Sequence, residues 1–280
     1  METQTLAKQN AHPRDEYITF MEEGHVYIIS FEPDVKYTSV TTWNHSYFNG
    51  FDADKIIDKM MRGKSWKPGH KYWGLTADQI KSMWNTNTSS LAKAGTDLHF
   101  QIECFHNQPN LPPGYSNLDL YNLYQKNPVQ NPEVEWSHFI QFIKDHPQLK
   151  PYRTEWLIYH EEAKLSGSID MVYQNPDGTF SIYDWKRSKQ ISKANAFNVF
   201  ANSPIISHLP DANFWHYALQ LNTYKYILEA KYNMKIDSLF LVRLHPNARD
   251  YELIELPDLQ NDIQDLLEER IDSMQTLQKK

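Results

Sequence analysis

The stretch Leu165–Lys189, LSGSIDMVYQNPDGTFSIYDWKRSK, leaves little freedom to the chain around it. It predicts two strands around a turn, with an acid in each strand and a lysine two residues beyond the second acid. Asn175-Pro176-Asp177-Gly178 has Asn first, Pro second and Gly fourth, as a type I turn prefers. With Gly178 left-handed, the connection becomes a three-residue hairpin loop closed by a bulge. That loop sets the register: Asn175 opposes Thr179, Val172 opposes Ile182, and Asp170 opposes Asp184. Side chains alternate faces along a strand, so Lys186 shares the face of Asp184. Opposed residues have Cβ atoms roughly 4.5–5.5 Å apart, where like charges repel. Ile169, Met171, Val172, Ile182 and Trp185 make the hairpin substantially buried, so its two carboxylates need a cation. A hard divalent ion such as magnesium, which takes carboxylate, water and phosphate oxygens, suits that need.

Composition bounds the rest. A chain of 280 residues, 40% hydrophobic and 14% aromatic, can build a substantial core. No repeat or linker divides it. The expected layout is a polar tail over residues 1–15 and a single domain over 16–280. The single cysteine, Cys104, excludes an internal disulfide framework and any four-cysteine zinc or iron–sulfur site. No apolar run approaches membrane-spanning length, and METQTLAKQNAHPRDE lacks a secretory hydrophobic region. The expected setting is intracellular, in a reducing cytoplasm or nucleus, and neither secreted nor in a membrane. A formal net charge of −7 counts against binding DNA by bulk electrostatics. Any nucleic-acid contact must be local or assisted by metal.

Local signals place the remaining elements. Tyr17–Ser30 predicts a hairpin turning at Gly24, Ser39 caps a short helix, and Asp52 caps another with Ile56, Ile57, Met60 and Met61 inward. Residues 62–74, RGKSWKPGHKYWG, are basic and aromatic. They fit a surface loop with packed tryptophans, the commoner case, or a contact for phosphates and bases. Thr76–Gln79 is a capping box opening a helix with Ile80, Met83 and Trp84 inward, and SLAKAGTDLHFQIECF predicts a second helix carrying His99 and Glu103. HNQPNLPPGYSNLD predicts a connection, and Asn131-Pro132-Glu133 a helix start with Asn131 as cap. TEWLIYHEEAKLSG predicts a strand led by Glu155 and a turn with Glu161 and Glu162 in solvent. Arg187, Lys189 and Lys193 cluster past the acids, where substrate phosphates would be received. Asp211 is the expected cap of a helix that puts Gln220 and Tyr224 on one face. Ile236–Leu244 and Tyr251–Leu256 predict strands, and Pro257-Asp258 opens a last helix with an apolar face.

Gly167-Ser168-Ile169-Asp170, the turn, then Asp184-Trp185-Lys186 resemble the core of the PD-(D/E)XK nuclease superfamily, with Asp184 where Glu often stands. Gly95…His99 upstream and Gln220…Tyr224 downstream, in that order, resemble its RecB-type and phage-lambda-exonuclease-like branch. RTEW, GSIDMV, YDWKRSK and HLPD…QLNTYK are similar to exonucleases encoded by large DNA viruses. The resemblance implies an α/β fold, a restriction-endonuclease-like core with a mixed central β-sheet flanked by helices. Residues of about 16–94 then form an N-terminal elaboration and the last helix a C-terminal addition. It implies metal-dependent hydrolysis of DNA phosphodiesters, by an exonuclease serving replication, recombination or repair. Asp170, Asp184 and His99 would hold Mg2+ or Mn2+, with the Trp185 carbonyl as a further ligand. Lys186 would position water or stabilise charge on the phosphate, and Glu155 would orient water or a second metal. Gln220 and Tyr224 would support the lysine or the substrate strand. Some relatives carry an iron–sulfur cluster, which this chain lacks the cysteines to hold. A homo-oligomer or a recombination partner stays open, as do a catalytically silent DNA-binding protein of the same fold and a hydrolase of other phosphate esters.

Overall fold

The protein is described by a computed structural model covering residues 5–109, 111–129, 131–195 and 197–278. In chain order the elements are α1 (Thr5–Gln9), β1 (Ile18–Met21), β2 (Val26–Ile29), β3 (Thr38–Ser39), α2 (Val40–His45), α3 (Ala53–Met61), α4 (Ala77–His106), α5 (Asn117–Lys126) and α6 (Val134–Asp145). They continue as β4 (Lys150–His160), β5 (Leu165–Gln174), β6 (Phe180–Lys186), α7 (Asn213–Tyr232), β7 (Ile236–Arg243), β8 (Glu252–Glu255) and α8 (Gln260–Gln278).

The hairpin forms as its turn chemistry dictates. Gly178 has φ +87°, its N–H bonds the Asn175 carbonyl at 3.0 Å, and Val172 pairs with Ile182. The β5–β6 ladder ends at Met171–Tyr183, one pair short of Asp170 and Asp184. There the Trp185 N–H turns to a side chain, donating to Asp170 Oδ2 at 3.0 Å. Around this hairpin the sheet is mixed. β4 lies antiparallel along β5, β7 parallel to β6, β8 antiparallel to β7, and β3 adds a short parallel pairing at Leu165 and Ser166. β5 is therefore paired to β3 at its start and to β6 at its end, and the chain between them borders a gap.

Helices cover both faces. α2, α7 and α8 pack on the side of Val172 and Ile182, while α4 and α6 pack on the side of Met171, Tyr173 and Trp185. Trp185 is held edge-on by Phe139 (5.5 Å) and Phe142 (5.4 Å), contacts worth about 0.5–1.5 kcal/mol each beyond burial. Alternation then sends Asp184 and Lys186 to the opposite side.

Several local expectations are corrected. Of the expected polar tail, residues 1–4 lie outside the described residues, but the chain from Thr5 packs closely. Leu6 is fully buried, and Asp15 accepts from both Arg153 (2.7 Å) and Trp156 Nε1 (2.8 Å). The two helices expected between Thr76 and Phe105 are one 30-residue helix, α4. Of the residues expected inward on α3, Ile57 is buried but Ile56 is exposed. The connection before Asn131 contains α5, capped by Ser116. α6 begins at Val134, with Asn131 Oδ1 instead accepting from the Glu133 N–H. Asp211 bonds His216 at 2.9 Å rather than capping α7. Glu161 and Glu162 pair with Arg14 (2.7 Å) and Lys231 (2.6 Å).

His106 on α4 is fully buried, its ring between the Ile102 carbonyl and the Tyr173 hydroxyl, both at 2.9 Å. Burial holds its pKa down to about 4, with only the Ile102 carbonyl opposing. The folded state thus resists a proton that the unfolded chain takes up near pH 6.5. Stability from this group is complete above that pH and is lost as pH falls towards 4, by about 3 kcal/mol in total. His106→Gln should shrink the loss between pH 7 and 4.5, measured by urea unfolding; an undiminished loss would assign it to other groups.

Candidate functional site

The site lies where β5 and β6 part. Asp170 lies one residue beyond the β6-paired part of β5, Asp184 and Lys186 end β6, Glu155 comes from β4 and His99 from α4. Glu155 takes φ +44° in mid-strand, a conformation that costs a residue with a side chain about 1–3 kcal/mol. The strand keeps its register on either side, with Thr154 opposite Met171 and Trp156 opposite Ile169. Ser168 Oγ donates to Glu155 Oε2 at 3.1 Å, and Glu155 Oε1 stands 3.8 Å from His99 Nδ1. Asp170 Oδ2 is 3.6 Å from the same nitrogen.

His99, Glu155 and Asp170 offer one ligand atom each, all within 4.8 Å of one another. The other ring nitrogen of His99, Nε2, is 2.8 Å from the Trp185 carbonyl. With one proton held there, loss of the Nδ1 proton would leave that nitrogen's lone pair directed at a cation shared with the acids, the arrangement that orients metal-ligating histidines. The Trp185 carbonyl, expected as a direct ligand, here holds His99 in place. Asp184, expected beside Asp170 as a ligand, stands outside the three-residue cluster. Its Oδ2 is 2.6 Å from Lys186 Nζ, which also sits 4.6 Å from the centre of the Tyr217 ring.

Electrostatics match this crowding. Burial and then Asp170 raise the Asp184 carboxyl to about 6, against the pull of Lys186. Burial also raises Asp170, opposed chiefly by His99. Burial would lower His99, but Asp170 and Glu155 lift it to about 9. For Lys186 burial is likewise outweighed, and Asp184 and Asp170 keep its ammonium charged. Three carboxyls share two basic groups, so an added cation would relieve the repulsion. An imidazole with two or three carboxylates is a donor set for Mg2+ or Mn2+.

The outer residues divide. Gln220 Nε2 donates to the Tyr224 hydroxyl at 3.1 Å, and the Tyr224 ring lies against Gly167. Arg187 turns away from the acids to Glu135, at 2.6 Å, a residue that is almost wholly buried. Lys189 and Lys193 are exposed. Glu135 carried no sequence signal for this pairing. Tyr217 did, since Tyr217, Gln220 and Tyr224 stand at i, i+3 and i+7 on one face of α7.

A Cβ at Gly167 would meet Tyr224 Cε1 at 2.7 Å and its hydroxyl oxygen at 3.0 Å. Gly167→Ala should cost about 1–3 kcal/mol by overpacking, and Tyr224→Leu in the same chain should restore much of it in denaturant unfolding. Asp170→Asn should lower the His99 pKa from about 9 towards its ordinary range, read from ring-proton shifts in chelator. An unchanged titration would mean that the two groups do not face each other.

A search of curated proteins finds no match. Among solved structures, the crystal structure of SSO0001 aligns over 84% of this chain and 74% of its own, at 14% identity and a TM-score of 0.27. Overlap that low supports no statement about this chain. The family comparison is different: the model of the PD-(D/E)XK nuclease superfamily matches residues 87–279, the span that holds His99, Glu155, Asp170, Asp184, Lys186 and the whole of α7. With its mixed sheet flanked by helices and its acids gathered where β5 and β6 part, the chain belongs to the PD-(D/E)XK nuclease superfamily.

Proposed function

We propose that the protein is a Mg2+- or Mn2+-dependent deoxyribonuclease, an exonuclease of the RecB-type, lambda-exonuclease-like branch. Its setting would be DNA replication, recombination or repair, as the sequence resemblance to exonucleases of large DNA viruses implies. The observation that carries this reading is the His99–Glu155–Asp170 cluster set beside the Asp184–Lys186 pair. A bound divalent cation supplies a more acidic water and neutralises charge on the phosphate.

His99, Glu155 and Asp170 would hold that cation, with Asp184 bordering the cluster as a further carboxylate donor. Lys186, aimed by Asp184 and the Tyr217 ring, meets the attacking water or the charge that develops on the phosphate. Tyr217, Gln220 and Tyr224 fix the α7 wall behind it. Lys189 and Lys193 receive neighbouring phosphates, while Arg187 is committed to Glu135 and orders the segment leaving β6. Intact acids argue against a silent DNA-binding role, because a binding module gains nothing from burying mutually repelling carboxyls.

Purified protein should degrade end-labelled linear DNA with Mg2+ or Mn2+, spare closed circular DNA, and stop in chelator. Equal attack on circular DNA would remove the exonuclease assignment, and no cleavage of either would remove the nuclease one. Lys186→Ala should lower turnover by about 100-fold or more while keeping the rise in unfolding temperature produced by Mn2+. Wild-type turnover in that variant would take Lys186 out of the mechanism.

A further inference from the structure

Far from the acids, the chain between Asp58 and Asp78 has a composition opposite to the rest. It carries five Lys and Arg residues (Lys59, Arg62, Lys64, Lys67, Lys71) and no acid, in a protein of net charge −7. Its rings are displayed rather than packed away. Trp73 is 46% exposed, with its ring 5.8 Å from that of half-buried Trp66, which in turn lies 5.0 Å from His70. Gly69 (φ +98°) and Gly74 (φ +86°) make the turns that bring these rings together. Between Met61, Trp66, Trp73 and Leu75, against the first turn of α4, an open cavity of about 480 Å3 remains. The loop is anchored there by Trp84 Nε1, which donates to the Tyr72 hydroxyl at 3.0 Å, and Lys81 of α4 pairs with Asp54 of α3 at 2.7 Å.

Two observations tie this loop to the candidate active site. α4 is common to both: at a rise of about 1.5 Å per residue, His99 stands roughly 33 Å along it from Ala77. In addition, Lys59 at the end of α3 lies 5.6 Å from the ring of Phe197, which is 79% exposed on the segment leaving β6. That segment also displays Lys189 and Lys193. Exposed cations thus stand both on the segment that leaves Lys186 and on the loop that carries the tryptophans.

We propose that residues 62–75 are a second DNA site, which holds a single-stranded stretch of substrate about 30 Å from the catalytic acids. A base stacks against Trp73 and Trp66, and Lys64, Lys67 and Lys71 take the flanking phosphates. Single-stranded DNA is the fitting occupant, because exposed indole faces reward unstacked bases, which a duplex does not offer. A charge-only duplex site would need no aromatic pair. The proposal rests on the nuclease reading for its purpose, but its test does not need cleavage.

The test is fluorescence anisotropy with a labelled 30-nucleotide oligo-dT and a 30-base-pair duplex, in chelator, using the full chain. Trp73→Ala should weaken oligo-dT binding by about tenfold or more and change duplex binding little. Lys64→Gln/Lys67→Gln, on exposed positions that leave the rings in place, should reduce the salt slope for oligo-dT by about 0.7 per lysine. Cleavage of a three-nucleotide substrate, too short to span both sites, should be unchanged in either variant. Oligo-dT affinity equal to wild type in both variants overturns the site, and equal losses for oligo-dT and duplex overturn the single-strand assignment. If wild type cleaves nothing with metal but the binding differences persist, the nuclease reading fails and the DNA site stands.

Discussion

Three carboxyl groups and two basic groups share a small, largely buried space between β5 and β6, and much of the surrounding structure answers to them. Buried charge is tolerated only when paired, and removing one partner of such a set typically costs about 3–5 kcal/mol. The ladder stops at Met171–Tyr183, so that Asp170 can take the Trp185 N–H. His99 is turned by the Trp185 carbonyl, and Lys186 is drawn to Asp184. Each contact settles one charge and leaves the set short of positive charge, which is the condition for attracting a metal and a phosphate.

The scaffold makes this possible by dividing labour across one strand. On β6, Trp185 is locked among aromatic residues of α4 and α6, while its neighbours Asp184 and Lys186 face α7. On β5, Gly167 leaves room for Tyr224, so α7 can approach closely enough to place Tyr217 beside Lys186. Strain appears at Glu155, whose left-handed backbone brings a carboxylate of β4 to the cluster. A strand in regular conformation would cost less and would not be under pressure to deliver that group. Functional sites are where such local costs are retained.

Net negative charge is compatible with a nucleic-acid substrate because the cations are gathered, not spread. Arg187 is neutralised by Glu135 and lends order rather than attraction. Positive charge stays exposed on Lys189 and Lys193 and on the loop between Asp58 and Asp78 that leads into α4. Among the described residues no helix is long and apolar enough to cross a membrane, and Cys104 is a free, exposed thiol.

What the sequence determined by itself is local. Pro176 and Gly178 encode the turn, the turn sets the register as far as Met171 opposite Tyr183, and alternation along β6 puts Asp184 and Lys186 on one face. Capping residues Ser39, Asp52 and Thr76 start helices for the same reason, since their partners lie within three residues. Contacts across the chain were not legible in this way. Burial of Leu6, the bonds of Asp15 to Arg153 and Trp156, the continuity of α4 and the pairing of Arg187 with Glu135 depend on surfaces that meet only after folding. So does the regrouping of the site, in which Glu155 joins His99 and Asp170 while Asp184 keeps Lys186. Strand register is written in near neighbours, but which carboxylate turns to which cation is decided by the electrostatics of the assembled interior.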